Sequence, residues 1–192
     1  MSSESRDLLR NEAAPPSPAE SARGVKSRSV WVSLLALAVL CVGVLSALAA
    51  GPLHAQCFTT WSISIPCFDA SSLLVNQIKE WTTDSCPPKS QKCLYSLVAV
   101  NGDNIVATHT TPLMRFVDDI TLNFSSPNAD SCEIQGHSNS RSWYAMFDSG
   151  TNYLNMYNLM RGSGLFSSPS FTESTSDRVC TQYSSTRQKL DP

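Results

Sequence analysis

The sequence predicts an α+β domain, a mainly antiparallel sheet of about five strands with flanking helices, preceded by one transmembrane helix. Three observations predict this fold class. Residues 30–51 carry no charge, residues 71–81 and 153–160 place apolar side chains at helical spacing, and residues 94–138 alternate apolar with polar side chains. Two helices are therefore expected to flank a sheet, and a third to precede them.

Residues 30–51 are predicted to be a signal-anchor helix. A helix of this length rises about 33 Å, enough to cross a hydrocarbon core of about 30 Å. Arg23, Lys26 and Arg28 precede the apolar run and no fixed charge follows it directly. The positive-inside rule then predicts a type II membrane protein with a cytosolic N-terminus and a lumenal or extracellular C-terminal domain. Cleavage as a signal peptide, after Ala49 or Ala55, is the alternative.

Residues 1–29 are predicted to be a disordered cytosolic tail, because they contain few apolar side chains. Glu4, Leu8 and Leu9 resemble the acidic dileucine sorting signal that clathrin adaptors bind. The alternative is a chance match of a short pattern. The motif favours an endosomal or lysosomal location, with the plasma membrane second, and makes a clathrin adaptor a candidate partner.

The exported part is predicted to contain a stalk over residues 52–66, a disulfide-stabilised domain over residues 67–182 and a flexible C-terminus over residues 183–192. The net charge of the chain is only −2. Nucleic-acid binding requires a basic surface. We therefore expect no nucleic-acid partner.

Six of the seven cysteines follow the apolar run. An even number of cysteines on the oxidising side of a membrane predicts three disulfides. Cys86 and Cys93 are close in sequence and should form the most local bridge, since a zinc knuckle would need closer pairs. Pairing Cys57 with Cys67 and Cys132 with Cys180 is one of the 15 arrangements that six cysteines allow.

Asn101 and Gly102 predict a tight hairpin turn, because this dipeptide accepts the positive φ angles of such turns. On the following strand, parity places Asp118 on the apolar face and Asp119 on the solvent face. Asn123 is also on the solvent face and begins an N-glycosylation sequon, so it is predicted to carry a glycan. The predicted strands are 94–100, 104–111, 115–124, 132–138 and 143–147.

Residues 115–161 resemble an uncharacterised bacterial and plastid domain family. The resemblance is carried by a Phe-x-Asp-Asp strand at 116–119, a Ser-x-Ser-Arg strand end at 138–141 and an Asp-x-Gly-x-Asn turn at 148–152 that leads into a helix. The family usually continues this turn with a basic residue, where this chain has Tyr153. The resemblance implies a fold and no particular reaction.

A charged carboxylate on the apolar face costs several kcal/mol unless it has a partner. The candidate partners of Asp118 are Arg141 and backbone N–H groups near Asn152, in a structural network. Alternatively, a small polar ligand or a cation such as calcium could be bound by clustered side chains. That candidate ligand-binding set is Asp118, Asp119, Arg141, Asp148 and Asn152.

The sequence favours a non-enzymatic binding or accessory domain of the endolysosomal system that engages a lumenal protein, lipid or glycan. No catalytic residue is assigned, because no histidine accompanies a recognisable nucleophile turn. No metal ligand or cofactor is assigned either. A small lumenal hydrolase that uses Asp118, Arg141 and Asp148 is one alternative. A cell-surface receptor or adhesion domain is another.

Overall fold

The computed structural model describes residues 30–43 and 52–190. The chain divides into two units, 1–46 and 47–192. In the first unit, residues 30–43 form a helix, α1, whose side chains are exposed. The tail motif of Glu4, Leu8 and Leu9 lies outside the described residues, so its role as a sorting signal stays a prediction.

The predicted transmembrane helix is wrong. Within residues 30–43 and 52–190, no helix is both long enough and apolar enough for a bilayer crossing. The fold class is α+β, with the sheet and helices of the second unit described below.

The second unit contains a six-stranded antiparallel sheet, one strand more than the sequence predicts. The strand order across the sheet is β2-β3-β4-β5-β1-β6. The Asn101-Gly102 hairpin is present, and Gly102 has a φ of 57°. The strands are β1 (Gln56–Ile63), β2 (Tyr95–Asn101), β3 (Asn104–Thr110), β4 (Val117–Asn128), β5 (Ser131–Ser140) and β6 (Thr172–Ser174).

Strand β1 replaces most of the stalk expected over residues 52–66. It pairs with β5 on one side and with β6 on the other. Its alternate side chains are buried, and Trp61 is completely inaccessible to solvent. Gly136 of β5 lies under the Trp61 ring, since an added Cβ would come within 2.7 Å of that ring. The segment is therefore part of the core.

Helices α2 (Cys67–Glu80) and α3 (Thr151–Gly162) bury side chains against the sheet. Leu74 and Ile78 of α2 and Met156 and Leu159 of α3 are all fully buried in one core cluster with Trp61. Apolar burial of this kind is the main source of stability for a domain of this size.

The segment predicted as a fifth strand, 143–147, forms a turn in which most side chains are exposed. Its large apolar side chains lie at successive positions, so they do not follow the alternation of a half-buried strand. A strand prediction based on their β-propensity alone is wrong here.

The C-terminus is ordered as helix α4 (Tyr183–Leu190), where a flexible end was predicted. The Tyr183 hydroxyl donates a hydrogen bond to the Glu173 carboxylate, and so do the Tyr153 hydroxyl and the Trp61 indole N–H. Thr186 of α4 is also buried. These contacts connect β6 and α4 to the core and offset the entropy of ordering them.

All six predicted cysteines form three disulfides, and Cys86 pairs with Cys93 as expected. The other two pairings differ from the arrangement proposed from the sequence, because Cys57 pairs with Cys180 and Cys67 with Cys132. Cys57 and Cys180 face each other as an antiparallel bridge once residues 56–63 are a strand. The predicted cysteine pairing and the predicted stalk are thus wrong for the same reason, which is that strand β1 was not predicted.

The Cys57–Cys180 disulfide should contribute most to stability, because it closes a loop with a sequence separation of 123, against 7 for Cys86–Cys93. Chain entropy predicts a loss of about 5 kcal/mol for the Cys57→Ser, Cys180→Ser variant and about 2.5 kcal/mol for the Cys86→Ser, Cys93→Ser variant. Urea unfolding would measure both. Equal losses would contradict the loop-entropy explanation.

Candidate functional site

A cavity of about 1110 Å³ opens at the end of the sheet where β3 ends and β4 begins. Three turn segments surround it. We call them the disulfide turn (residues 86–93), the Leu-Met turn (residues 111–116) and the Trp-Tyr turn (residues 142–147). Each lies between elements of the rigid sheet and helix layers, a common setting for a ligand site.

The disulfide turn forms one wall and is closed by the Cys86–Cys93 bridge. The N–H of Ser90 donates to the carbonyl of Pro87 over 3.0 Å, so Pro88 and Lys89 occupy the tip. Proline at the second position fixes a φ angle that suits a β-turn. The sequence thus builds a rigid wall with a cation at its tip.

The Leu-Met turn is held by three hydrogen bonds. The N–H of Thr111 donates to the Phe116 carbonyl, the N–H of Arg115 donates to the Thr111 carbonyl, and the N–H of Phe116 donates to the Thr111 hydroxyl. Leu113 and Met114 are exposed at its tip. Such positions usually hold glycine, asparagine or aspartate. Their apolar side chains therefore need an explanation other than turn formation.

In the Trp-Tyr turn the N–H of Ala145 donates to the Ser142 carbonyl over 2.8 Å, which leaves Trp143 and Tyr144 at the tip. Their rings meet edge to face, with centroids 5.7 Å apart. Met146 and Phe147 follow and are also exposed. The wall of the cavity is mostly apolar, with Tyr144, Met146 and Phe147 among its lining residues.

Backbone strain is concentrated around this cavity. Four of the six non-glycine residues with a positive φ in the described part of the chain line it: Lys89, Leu94, Arg115 and Ser149, with φ angles of 56° to 62°. A left-handed conformation is costly for a bulky residue such as leucine. Strain of this kind gathers at binding and catalytic sites, because the surrounding structure must maintain it.

The polar part of the lining combines hydrogen-bond acceptors with two exposed cations, Lys89 and Arg115. The Asp118 carboxyl lines the cavity and is 3% exposed. Asp148 lines it as well, and so does Gln91, whose side-chain Oε1 is buried without a hydrogen-bond partner among the described residues. A buried acceptor without a partner costs about 1–3 kcal/mol. A ligand that donates a hydrogen bond would recover that cost.

A chain of buried hydrogen bonds runs from Asp118 to Asp148. The side-chain amide of Asn155 donates to Asp118 over 2.9 Å and to the Ser138 hydroxyl over 3.2 Å. Ser138 donates to Asn152 over 2.7 Å, and Asn152 donates to Asp148 through its backbone N–H and its side-chain amide. The first turn of α3 is thereby fixed to β4 and β5, and both carboxylates are positioned at the cavity.

Burial raises the pKa of Asp118, and the negative charges of Asp148 and Asp119 raise it further, whereas hydrogen bonds from Asn155 and Ser140 lower it. Opposite Asp118 in the sheet lies His109, which is fully buried against the Tyr95 ring at 4.5 Å. Burial lowers the pKa of His109 to about 4. His109 is therefore neutral at physiological pH.

The sequence-predicted site residues separate into two groups. Asp118, Asp148 and Asn152 belong to the buried network, and the first two line the cavity. Asp119 and Arg141 instead form an ion pair on the solvent face of the sheet, with a shortest distance of 2.7 Å. The prediction that Arg141 is the partner of Asp118 is therefore wrong, because Asn155 donates the hydrogen bond to Asp118.

Sequence reasoning missed Asn155, Gln91 and His109. Asn155 lies in α3 between Tyr153 and Met156, so helical periodicity could have placed its amide on the buried face. Gln91 lies in a loop whose path no local pattern predicts. Within the residues described, no group of three or more His, Cys, Asp or Glu side chains is placed to hold a metal ion.

Comparison with known proteins identifies the family. A family model described as "Protein of unknown function (DUF1499)" matches residues 64–161. The chain belongs to this family. The match covers α2, β2 to β5, nearly all of α3 and the turns between them, and this range contains the buried network and the cavity lining.

No curated protein matches the chain. Among solved structures, it is similar to TTHA0849 from Thermus thermophilus. The two share 11% sequence identity over 57% of this chain and 88% of the other, with a TM-score of 0.28.

Acidification below pH 6.5 should destabilise the fold through His109. The unfolded chain binds a proton near pH 6.5 whereas the folded chain binds it near pH 4, so roughly 3 kcal/mol is lost across that window. The raised pKa of Asp118 acts in the opposite sense, because its penalty is relieved as the pH falls through its folded-state pKa.

Urea unfolding between pH 7.5 and pH 4.5 would measure this slope. The His109→Gln variant should flatten it, whereas the His137→Gln control should change it less. His137 is only half-buried, although burial lowers its pKa in the same direction. A His109→Gln variant with the slope of the wild type would contradict a buried neutral imidazole.

Proposed function

We propose that this domain is a non-enzymatic binding module whose cavity takes an amphipathic small molecule, with an apolar body and a head group that donates hydrogen bonds. The observation that carries the proposal is the lining itself. Apolar side chains of the Leu-Met and Trp-Tyr turns form the wall, and Asp118, Asp148 and Gln91 add acceptor groups to the lining. Ligand cavities commonly combine these two features.

The apolar wall supports a lipid-like body. Leu113, Met114, Phe116, Met146 and Phe147 line the cavity although all five are substantially exposed. Leaving this area in water has a cost that a bound alkyl or aryl group would remove, at about 25 cal/mol per Å² covered. Methionine is well suited to such a wall because its flexible side chain adapts to irregular shapes.

The acceptors support a head group such as an amine or an alcohol. Asp148 already accepts N–H groups of the first turn of α3, while Gln91 Oε1 has no partner among the described residues. A carboxylate head group beside the buried acceptors would meet two aspartates, whereas the cations of the lining, Lys89 and Arg115, are exposed in the turns. Like charges in a partly dry cavity repel each other strongly, so anionic ligands should bind poorly.

The hydrolase alternative lacks its cation. It requires Arg141 beside Asp118 and Asp148, but Arg141 is held on the solvent face by Asp119. Asp118 is held by Asn155 inside the fold, which favours a role in shaping and polarising the cavity. The raised pKa of Asp118 is the one feature that favours acid–base chemistry, and the experiment below includes that outcome.

We also infer that the domain folds in an oxidising compartment, such as an organelle lumen or the extracellular space. Three intramolecular disulfides support this placement, because they persist poorly in a reducing cytosol. The endolysosomal location and the clathrin adaptor remain proposals that rest on Glu4, Leu8 and Leu9. The finer likeness to a bacterial and plastid pattern is also a proposal. Its motifs include Asp118, Asp148 and Asn152 of the buried network.

Head-group selectivity tests the cavity. Octylamine, octanol and octanoate share one apolar body, so calorimetric titration of the purified chain would isolate the head group. The amine and the alcohol should bind at least about tenfold more tightly than octanoate, because each hydrogen bond to a charged or unpaired acceptor is worth more than about 1 kcal/mol. In the Asp118→Asn variant, the ratio of octylamine affinity to octanoate affinity should be smaller than in the wild type.

Asp119→Asn is the matched control, since its side chain lies on the opposite face of the same strand and should leave all three affinities unchanged. Equal affinity of the three ligands, or no binding, would contradict the proposal. Hydrolysis of an octanoyl ester that Asp118→Asn abolishes would instead support the hydrolase.

If the domain enters the secretory pathway, Asn123 should carry a glycan, since it is exposed on β4. Asn104 donates to the side-chain oxygen of Asn123, which leaves the Asn123 amide nitrogen available for a sugar. Full-length chain from cultured eukaryotic cells should gain mobility on a gel after treatment with a peptide N-glycosidase. The Asn123→Gln variant should already have the faster mobility, and the Asn104→Gln control should still shift. Unchanged wild-type mobility would contradict export along the secretory pathway.

A further inference from the structure

We propose that the end of the domain carrying the three turn segments docks on the surface of an anionic lipid bilayer. The turn tips at Leu113, Met114, Trp143 and Tyr144 would enter the head-group region. The inference rests on the proposed function in one respect: the cavity mouth would then face the bilayer from which an amphipathic ligand comes.

Apolar side chains are exposed at the turn tips. Leu113 is 93% exposed and Trp143 is 87% exposed, and both sit at the corners of hydrogen-bonded turns. Scattered exposed apolar residues are ordinary, but a contiguous patch beside a cavity marks an interaction surface. The three turns line one cavity and therefore lie at the same end of the domain.

The aromatic residues at the tip of the Trp-Tyr turn are a tryptophan and a tyrosine. Tryptophan and tyrosine combine an apolar ring with a polar group and are enriched at the level of lipid head groups. Trp143 and Tyr144 occupy adjacent positions at one tip, while Met146 and Phe147 follow at the cavity wall. Such a surface can insert shallowly, as interfacial apolar faces do.

The charge of the three turn segments complements an anionic bilayer. The three turn segments contain three cations, Lys89, Lys92 and Arg115, and no acidic residue. The acidic residues that line the same cavity, Asp84, Asp118 and Asp148, lie outside these ranges, so the turn segments themselves carry the positive charge. Bilayers with anionic lipids attract basic side chains near the surface, each of which raises binding about fivefold. An acidic protein partner would explain the cations, but it would leave the leucine and methionine tip without a role.

A fluorescent label at the tip can test docking in the full-length chain. The label requires a single free thiol, so Cys41, the free cysteine of the described residues, is replaced by serine. A polarity-sensitive dye is then attached through Leu113→Cys. The matched control carries the dye at Phe68→Cys, which is also highly exposed and lies beside Gly102, at the opposite end of the β2–β3 hairpin.

On phosphatidylcholine vesicles that contain phosphatidylserine, emission of the Leu113→Cys label should shift to shorter wavelength, and that of the Phe68→Cys label should not. Replacing Lys89, Lys92 and Arg115 by glutamine should lower vesicle binding about a hundredfold, from about fivefold for each cation. Raising the salt concentration should have a similar effect.

An unchanged Leu113→Cys label on these vesicles would overturn the proposal, including the case in which the chain binds vesicles only through α1. A shift that appears without vesicles and grows with protein concentration would also overturn it and would indicate a second copy of the chain as the partner. Octylamine titration without vesicles separates the two proposals. If the label does not shift on vesicles but octylamine binds, only the docking proposal fails. If the label shifts but octylamine does not bind, only the proposed function fails.

Discussion

The hydrogen bond from Asn155 to Asp118 is the contact on which the geometry of the site depends. It places a carboxyl group on the core face of β4 and joins α3 to the sheet at that point. A buried carboxyl without this donor would cost several kcal/mol. Because Asn155 also donates to Ser138, the same amide orients the next member of the network. The polar contacts that join α3 to β4 and β5 at this point thus pass through one asparagine, in addition to the apolar packing of the helix.

The network also explains why the cavity forms at this end of the sheet. Polar side chains occupy core positions here, so apolar packing of α3 against β4 is interrupted where β4 begins. The turn segments around this gap are fixed by their own hydrogen bonds and by the Cys86–Cys93 bridge. A rigid frame with an unfilled space between its walls is what a preorganised binding site requires.

The sequence predicted those parts of the fold that local patterns control. The hairpin follows from Asn101 and Gly102, and the inward direction of Asp118 follows from the parity of β4. Strand β1 was missed although residues 57, 59, 61 and 63 alternate, because proximity to the apolar run favoured a stalk. The Cys57–Cys180 pairing could not be predicted without that strand. Gln91 and the turn tips depend on long-range loop packing, which no local period encodes.

The two regions where local rules fail are the ones that form the site. The rule that turns are polar fails at Leu113 and Trp143, and the rule that cores are apolar fails at Asp118, His109 and Asn155. Each departure costs stability that the three disulfides and the Trp61 core offset. Departures that share one end of a fold are expected where a sequence is constrained by binding as well as by folding. The buried acceptors need donors, and the exposed apolar tips need an apolar environment. An amphipathic ligand at a lipid surface provides both at the same place.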